Sequence, residues 1–304
     1  MGTRLQVLGL TFAGSLLALA TACGQKPEQQ AMTEEASLTP VKACEAAPCT
    51  TELGTEMAMG EGSVRAYGIL KGDGESQEIG VLISEAALNG LPQNCQADAA
   101  SKGAKWLICQ PAGAEGKGKM NDTMVTTLEM PKAVAKATGI DKLDISWLPY
   151  GHAPEKVWDK PQFDIHFPFV HPTGGQNEKA FYEAPSAEQL PKGYMVLPGS
   201  GFHWDTEALK GHAHAADPGN SPEFAGGPFR GNFLYITYEG KAIGYEAYVS
   251  KALLDEKGNY TKSLQVPEKS YGTDVAPGLL TITHVPSMKA FRVSLSDYKI
   301  IKKG

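Results

Sequence analysis

The sequence predicts a mainly β protein: a single β-sandwich or barrel-like domain with two or three short helices. Three observations carry this expectation. Glycine and proline are plentiful, 34 and 20 in 304 residues, and they cut the chain into short segments as turns between strands do. Several segments alternate apolar with polar residues, above all Gln162-Phe163-Asp164-Ile165-His166-Phe167, and a period of two belongs to a strand. About eight to ten such segments stand against two or three short helical ones, a balance that favours a sandwich or barrel. An apolar fraction of 42% and a charged fraction of 20% are those of a globular chain. At this length it can bury roughly 75% of its surface. The net charge of −6 argues against nucleic acid as a partner, because phosphate contacts need a basic surface.

Residues 1–22 start with the chain amine and Arg4, run through a short apolar segment and end in Ala20-Thr21-Ala22, directly before Cys23. That is the pattern of an export signal rather than a spanning helix. Small residues followed at once by cysteine resemble a bacterial lipobox, which implies cleavage before Cys23 and lipidation of its thiol. The alternative is an ordinary signal peptide cut nearby, with Cys23 left free. Gly24 is not the aspartate that retains such lipoproteins at the inner membrane of enteric-type bacteria. The expected location is therefore the cell envelope, anchored by lipid to the outer membrane and facing the periplasm or the cell surface. Residues 23–55 are polar, lack aromatics and show no period, so they read as a flexible tether. The β-rich domain is expected over 56–304. Four further cysteines in an exported chain suggest two disulfides among three pairings. The local pairs Cys44–Cys49 and Cys95–Cys109 are favoured over a metal site, since no CxxC spacing occurs.

From Met57 a strand, a Gly72-Asp73-Gly74 turn and a second strand lead to a short helix with Ser84 as N-cap. The glycines there open no helix, which excludes a phosphate loop. Residues 93–120 read as an excursion, 124–130 as a strand, and 131–138 as a short helix with proline at N1 and Gly139 ending it. Residues 198–231 read as one long loop rich in Gly, Pro and His. Residues 232–238 and 242–249 form a hairpin, and 279–284 and 291–300 the last strands. Residues 146–171 hold three of the seven histidines. In the strand at their centre, Gln162, Asp164 and His166 share one face, with Phe163, Ile165 and Phe167 on the other.

Four blocks, GEGSVRAYGILKGDGESQEIGVLISEAAL, WLPYGHAPEKVWDKPQFDIHF, SGFHW…SPEF and FLYITYEGKAIGYEAYVS, together resemble a family of secreted bacterial proteins. Its signature runs approximately WNPxGHxPxxxYxxPHFDxHFY, and it carries no established activity. The resemblance covers about residues 57–300 and implies one β-rich domain. It also implies that His152, Gln162, Asp164, His166, His203 and Glu246 converge. Three positions depart from the pattern: Gln162 replaces histidine, Pro168 replaces tyrosine, and Ala247 stands where proline follows the carboxylate. Residues 206–220 look like an added His-bearing loop.

Imidazoles and carboxylates from separate strands suit one divalent transition metal, Zn²⁺, Mn²⁺ or Fe²⁺. The candidate ligands are His152, Asp164, His166, His203 and Glu246, with Gln162 expected to weaken such a site. Two other readings stay open: a buried Asp164–His166 pair that locks strand register, and a metal-free ligand pocket. The His212-x-His214 pair could seize a metal, but its loop setting favours solvated residues; His171 and His284 read as structural or surface. Trp147, Trp158 and Trp204 are pocket walls or core. No nucleophile elbow surrounds Ser200, because no helix follows it. The favoured function is a lipid-anchored binding or structural envelope protein with a polar His/Asp/Glu pocket. The rivals are a metal-dependent enzyme, hydrolase- or oxygenase-like, and a self-associating surface protein that forms a homo-oligomer and takes no small ligand.

Overall fold

Alternation along the chain becomes two antiparallel sheets in a computed structural model that describes residues 48–93, 104–108, 122–171, 183–197, 202–205 and 210–304. The side chains of 104–108, 202–205 and 210–211 are excepted. The export signal, Cys23, Cys44, Cys95 and Cys109 lie outside the described residues, so neither expected disulfide is described. Among the described residues no helix is long and apolar enough to cross a membrane.

The first sheet draws on both ends of the domain. It contains β1 (Cys49–Leu53), β2 (Met57–Met59), β3 (Gly62–Lys71) and β4 (Ser76–Ser84). The middle of the chain supplies β5 (Ala104–Ile108), β6 (Thr123–Glu129), β7 (Lys142–Leu148), β8 (Gln162–Pro168), β9 (Met195–Val196), β10 (Phe202–Asp205), β11 (Lys210–Ala216), β12 (Gly231–Tyr238) and β13 (Lys241–Ser250). There follow β14 (Tyr260–Ser263), β15 (Lys269–Ser270), β16 (Val275–Ala276), β17 (Leu279–Val285), β18 (Ala290–Ser296), β19 (Lys299–Ile300) and β20 (Lys302–Lys303). The seven-stranded sheet runs β1-β3-β4-β18-β17-β14, with β2 also on β3. The nine-stranded sheet runs β10-β11-β12-β13-β8-β7-β6-β5, with β9 also on β11. Two small pairs, β15–β20 and β16–β19, complete the strands, and neither large sheet closes into a barrel.

The main core lies between the two large sheets. Val64, Ala66, Ile79, Val81, Phe291, Val293 and Leu295 from the first sheet meet Leu143, Ile145, Trp147, Phe163, Ile165, Phe167 and Phe233 from the second. Trp147 packs on Phe163 with ring centroids 5.0 Å apart and tilted by 43°, and donates its indole N–H to the Pro92 carbonyl at 2.7 Å. It is therefore core and no pocket wall. Helix α1 (Lys132–Thr138) plugs the core with Val134, and Gly68 is a glycine because a Cβ there would strike Val134 at 2.6 Å. Gly139 ends α1 in the left-handed region at φ 77, which suits a residue without a Cβ.

Several sequence expectations need correction. Ser84 does cap a helix, but a single 3₁₀ turn over Glu85–Leu88. Pro131 is the cap before α1, not its first residue. Cys49–Leu53, expected as tether, pairs along its length with β3, because a period-two pattern five residues long is too short to stand out. The expected loop over 198–231 contains β10 and β11: small residues such as Ala213, Ala215 and Ala216 hide a strand whose apolar face needs little bulk. A second short helix, α2 (Lys251–Asp255), follows β13 unforeseen.

The outer face of the first sheet buries a charged group. Glu78, with no exposed surface, accepts a short hydrogen bond from the Tyr67 hydroxyl, and Arg292 Nε lies 3.6 Å from it. Burial pushes the Glu78 carboxyl above its ordinary pKa, against the pull of Arg292. A folded value above the unfolded one contributes stability that is full below the unfolded pKa and is lost as pH rises through the folded one. Denaturant titrations of wild type and Glu78→Gln between about pH 4 and pH 8 should therefore show wild type losing ground to the variant as pH rises. In the core, Phe163→Ala should cost about 3–5 kcal/mol of unfolding free energy, read from the same titrations.

Candidate metal centre

The outer face of the nine-stranded sheet is also buried, and it is polar. Register fixes who meets whom. Across β7, β8 and β13, Asp144, His166 and Glu246 form one row, and Ser146, Asp164 and Tyr248 the next. Alternation puts Gln162, Asp164 and His166 on this face while their neighbours fill the main core. Two strands beyond β13, at roughly 10 Å by strand spacing, β11 presents His212 and His214 from the same side of the sheet. His214 pairs in register with Ile236 of β12.

Glu246 is where these groups meet. His166 Nε2 lies 2.8 Å from its Oε1, and His214 Nε2 lies 3.2 Å from its Oε2. His214 Nε2 is also 2.9 Å from His212 Nε2. One potential ligand atom from each of His166, His212, His214 and Glu246 falls within 4.8 Å of the others. All four residues are at most 1% exposed. Four ligands on a tetrahedral ion at about 2.0–2.1 Å stand about 3.3 Å apart; the three contacts of 2.8–3.2 Å fall near this, and the widest separation, 4.8 Å, would have to close on an ion. The central imidazole has two such neighbours. His214 Nε2 stands within reach of both Glu246 Oε2 and His212 Nε2, and a cation between the three would take a lone pair from each.

Burial, reinforced by the neighbouring imidazoles, pushes His212 and His214 well below the ordinary histidine pKa, so both are neutral with a lone pair to give. His166 is different. Burial pulls its pKa down, but Glu246, Asp164 and Asp144 outweigh it and hold the ring above its ordinary value. Burial likewise raises the Glu246 carboxyl, against the pull of His166. Tyr248 brings its hydroxyl to 3.1 Å from His214 Nδ1. That contact orients the ring from its far side, as partners of metal-bound histidines commonly do.

Beside the cluster sits a second polar pair. His152 Nε2 is 3.2 Å from Asp164 Oδ2, and the Gln162 amide donates to Asp164 Oδ1 at 2.6 Å. Burial lowers the His152 pKa, but Asp164 more than reverses this and leaves it raised. The segment carrying His152 is tightly folded. Its N–H donates to the Trp158 carbonyl, 3.0 Å away, just after Gly151 turns the chain at φ +62. A Cβ at residue 151 would sit 2.0 Å from that same carbonyl oxygen.

A small apolar lid closes the site. Trp158, Leu197, Ala216, Leu234 and Tyr248 form a cluster apart from the main core, with Val157, Phe224 and Phe229 packed on it. Trp158 meets Tyr248 at 4.9 Å, Phe224 at 5.2 Å and His152 at 5.6 Å. Its indole N–H donates to Glu223 Oε1, which also accepts from Asn232 Nδ2 at 2.6 Å. Lys262 Nζ in turn donates to Asn232 Oδ1 at 2.8 Å and to Ser221 Oγ at 3.1 Å.

Of the residues expected as ligands, His166 and Glu246 fall in the four-residue cluster, while His152 and Asp164 pair beside it. The His203 side chain lies outside what is described, although its strand β10 pairs with β11 and sets Phe202 opposite His212. His212 and His214, expected as solvated loop residues, are fully buried on a strand. Their i, i+2 spacing was the signal, since it puts both rings on one face. Gln162 binds Asp164 and stands outside the four, so it displaces no ligand from them. His171 and His284 lie within hydrogen-bond distance of Asp141 and Glu85, away from the site.

Fold and site together define a mainly β domain with a buried cluster of three histidines and one glutamate. No family model, curated protein or solved structure matches the chain.

Asp164 satisfies two buried partners at once. Asp164→Ala should cost about 3–5 kcal/mol, the range for breaking a buried pair from one side. Asp164→Asn should cost less, because it keeps one carbonyl acceptor; equilibrium denaturation separates the two.

Proposed function

We propose that this protein is a transition-metal-binding domain of the bacterial cell envelope, held to the membrane by a lipid on Cys23. The observation that carries the metal reading is the convergence of His166, His212, His214 and Glu246 within 4.8 Å. Three imidazoles with one carboxylate suit Zn²⁺, Mn²⁺ or Fe²⁺, in a site too poor in oxygen donors for Ca²⁺ or Mg²⁺. The envelope location rests on the small residues before Cys23, and it agrees with the resemblance to secreted bacterial proteins.

One observation favours a catalytic use of the same centre. The His152–Asp164 pair stands beside the cluster, its imidazole 5.9 Å ring to ring from His214, and its raised pKa suits a proton donor. On this second reading the metal would polarise a substrate or water, and His152 would hold and deliver the proton.

Elemental analysis of the mature chain, purified without chelator, should find one equivalent of a transition metal, and chelation should lower the melting temperature. Substoichiometric metal in the wild type would defeat the reading. His214→Ala and Glu246→Gln should each weaken binding by more than about 100-fold, taking roughly 3 kcal/mol per ligand. Tyr248→Phe should weaken it by about 10–100-fold, as loss of an orienting partner does. The catalytic reading requires in addition that His152→Gln retain metal while losing turnover.

A further inference from the structure

The network that anchors Trp158 brings an amine, a carboxamide and a carboxylate into contact, apart from the metal cluster. Lys262 on β14 is half-buried, and its Nζ donates to three neutral oxygens: Asn232 Oδ1 at 2.8 Å, and the Asn220 carbonyl and Ser221 Oγ at 3.1 Å each. Asn232, near the start of β12 in the other sheet, has no exposed surface, and its Nδ2 donates to Glu223 Oε1 at 2.6 Å. Glu223 sits on the 3₁₀ turn Pro222–Ala225 and is 3% exposed. A neutral glutamine at 223 could accept from both Asn232 and Trp158 without burying a charge. The hydrogen bonds by themselves give no reason for a carboxylate there.

Attack of an amine on an amide has definite requirements. The nucleophile must be stripped of water and held against the carbonyl, the oxygen that becomes negative needs a donor, and a base must turn acid for the leaving nitrogen. Each requirement is met here. Burial pushes the Lys262 ammonium below the ordinary lysine pKa, against the pull of Glu223 and Asp217, which eases loss of its proton. Its Nζ is hydrogen-bonded to the oxygen of the same carbonyl whose carbon it would attack. The Phe233 backbone N–H already donates to that oxygen at 2.7 Å. Glu223 Oε1 meets the leaving nitrogen, and Ser221 Oγ, 3.1 Å from both Lys262 Nζ and Asn232 Nδ2, bridges the incoming and outgoing nitrogens.

We propose that Lys262 and Asn232 join in an intramolecular isopeptide bond, which the chain makes by itself with Glu223 as acid–base catalyst. Glu223 takes a proton from Lys262, Nζ adds to Asn232 Cγ, and the Phe233 N–H holds the negative oxygen. Glu223 then returns a proton to Nδ2, the Cγ–Nδ2 bond breaks and the carbonyl re-forms. Lysine enters as an ammonium and the amide nitrogen departs as ammonium, so atoms and charge balance without an oxidant or any other co-reactant. The product is a secondary amide between β12 and β14, a covalent tie from one sheet to the other beside the lid. No step uses the metal cluster, so the bond is independent of the metal reading.

Mass spectrometry of the full mature chain under reducing conditions reads the bond. A protease digest of wild type should contain one branched peptide that joins Asn232 to Lys262. Two variants test the assignment. Lys262→Arg keeps a cation for the same oxygens but offers no nucleophile, and Glu223→Gln keeps the acceptor but supplies no base. Both should lack the branched peptide and, after allowing for the substitution, weigh one ammonia more than wild type. Lys262→Arg is the decisive variant, because it retains the charge and the acceptors that hold the fold together, and a cooperative thermal melt checks that it is folded. A folded wild type with both side chains unmodified would overturn the proposal. So would a branched peptide that joins other residues, or an ammonia deficit that persists in either variant, since the bond would then lie elsewhere or form without Glu223.

Discussion

Strand β8 is buried on both faces, and that constraint organises the domain. Parallel sheets covered by helices meet it with apolar residues throughout, but here an antiparallel sheet has a wet-chemistry face turned inward. Phe163, Ile165 and Phe167 belong to the core between the sheets, while Gln162, Asp164 and His166 lie under a separate lid. Polar groups so placed must be satisfied by one another or by something bound. Gln162 and Asp164 satisfy each other and His152. His166 and Glu246 reach across to His212 and His214, and the four converge on one place.

The site is assembled by sheet geometry more than by loops. Rows across β7, β8 and β13 bring Asp144, His166 and Glu246 side by side with no turn between them. A one-residue slip of β8 against β13 would send His166 into the core and Phe167 toward the cluster. Register and site chemistry are thus fixed together, because the three aromatic and aliphatic residues of β8 make the slipped register untenable. The lid adds what the sheet lacks. Trp158 is large enough to cover His152 and Tyr248 together, and its indole N–H is met by a buried carboxylate.

Much of this was legible in the sequence, for identifiable reasons. The alternation at 162–167 showed a strand and its two faces, because six residues of strict period two with three bulky apolar members admit little else. The β-rich class followed from the density of turn residues. The alternation marks His166, whereas the importance of Glu246 comes from resemblance, since nothing local marks it within Tyr245-Glu246-Ala247. The strand β11 was illegible because Gly211, Ala213, Ala215 and Ala216 carry no hydrophobic signal, so His212 and His214 were read as lying on a loop. Small residues are what that strand needs beneath a crowded cluster. Partnership between distant strands is set by topology, and no count of residue types reveals it.

The chain of hydrogen bonds from Lys262 through Asn232 and Glu223 to Trp158 reaches further than the site it serves. Lys262 stands on β14, the last strand of the opposite sheet, so the cover over the histidines is tied to the border of the other layer. Fraying of that border strand, ordinarily the cheapest motion in a sandwich, would free the indole with it. Amide exchange along 260–263 and around 158 would then proceed as one opening event, joining two places that share no stretch of sequence.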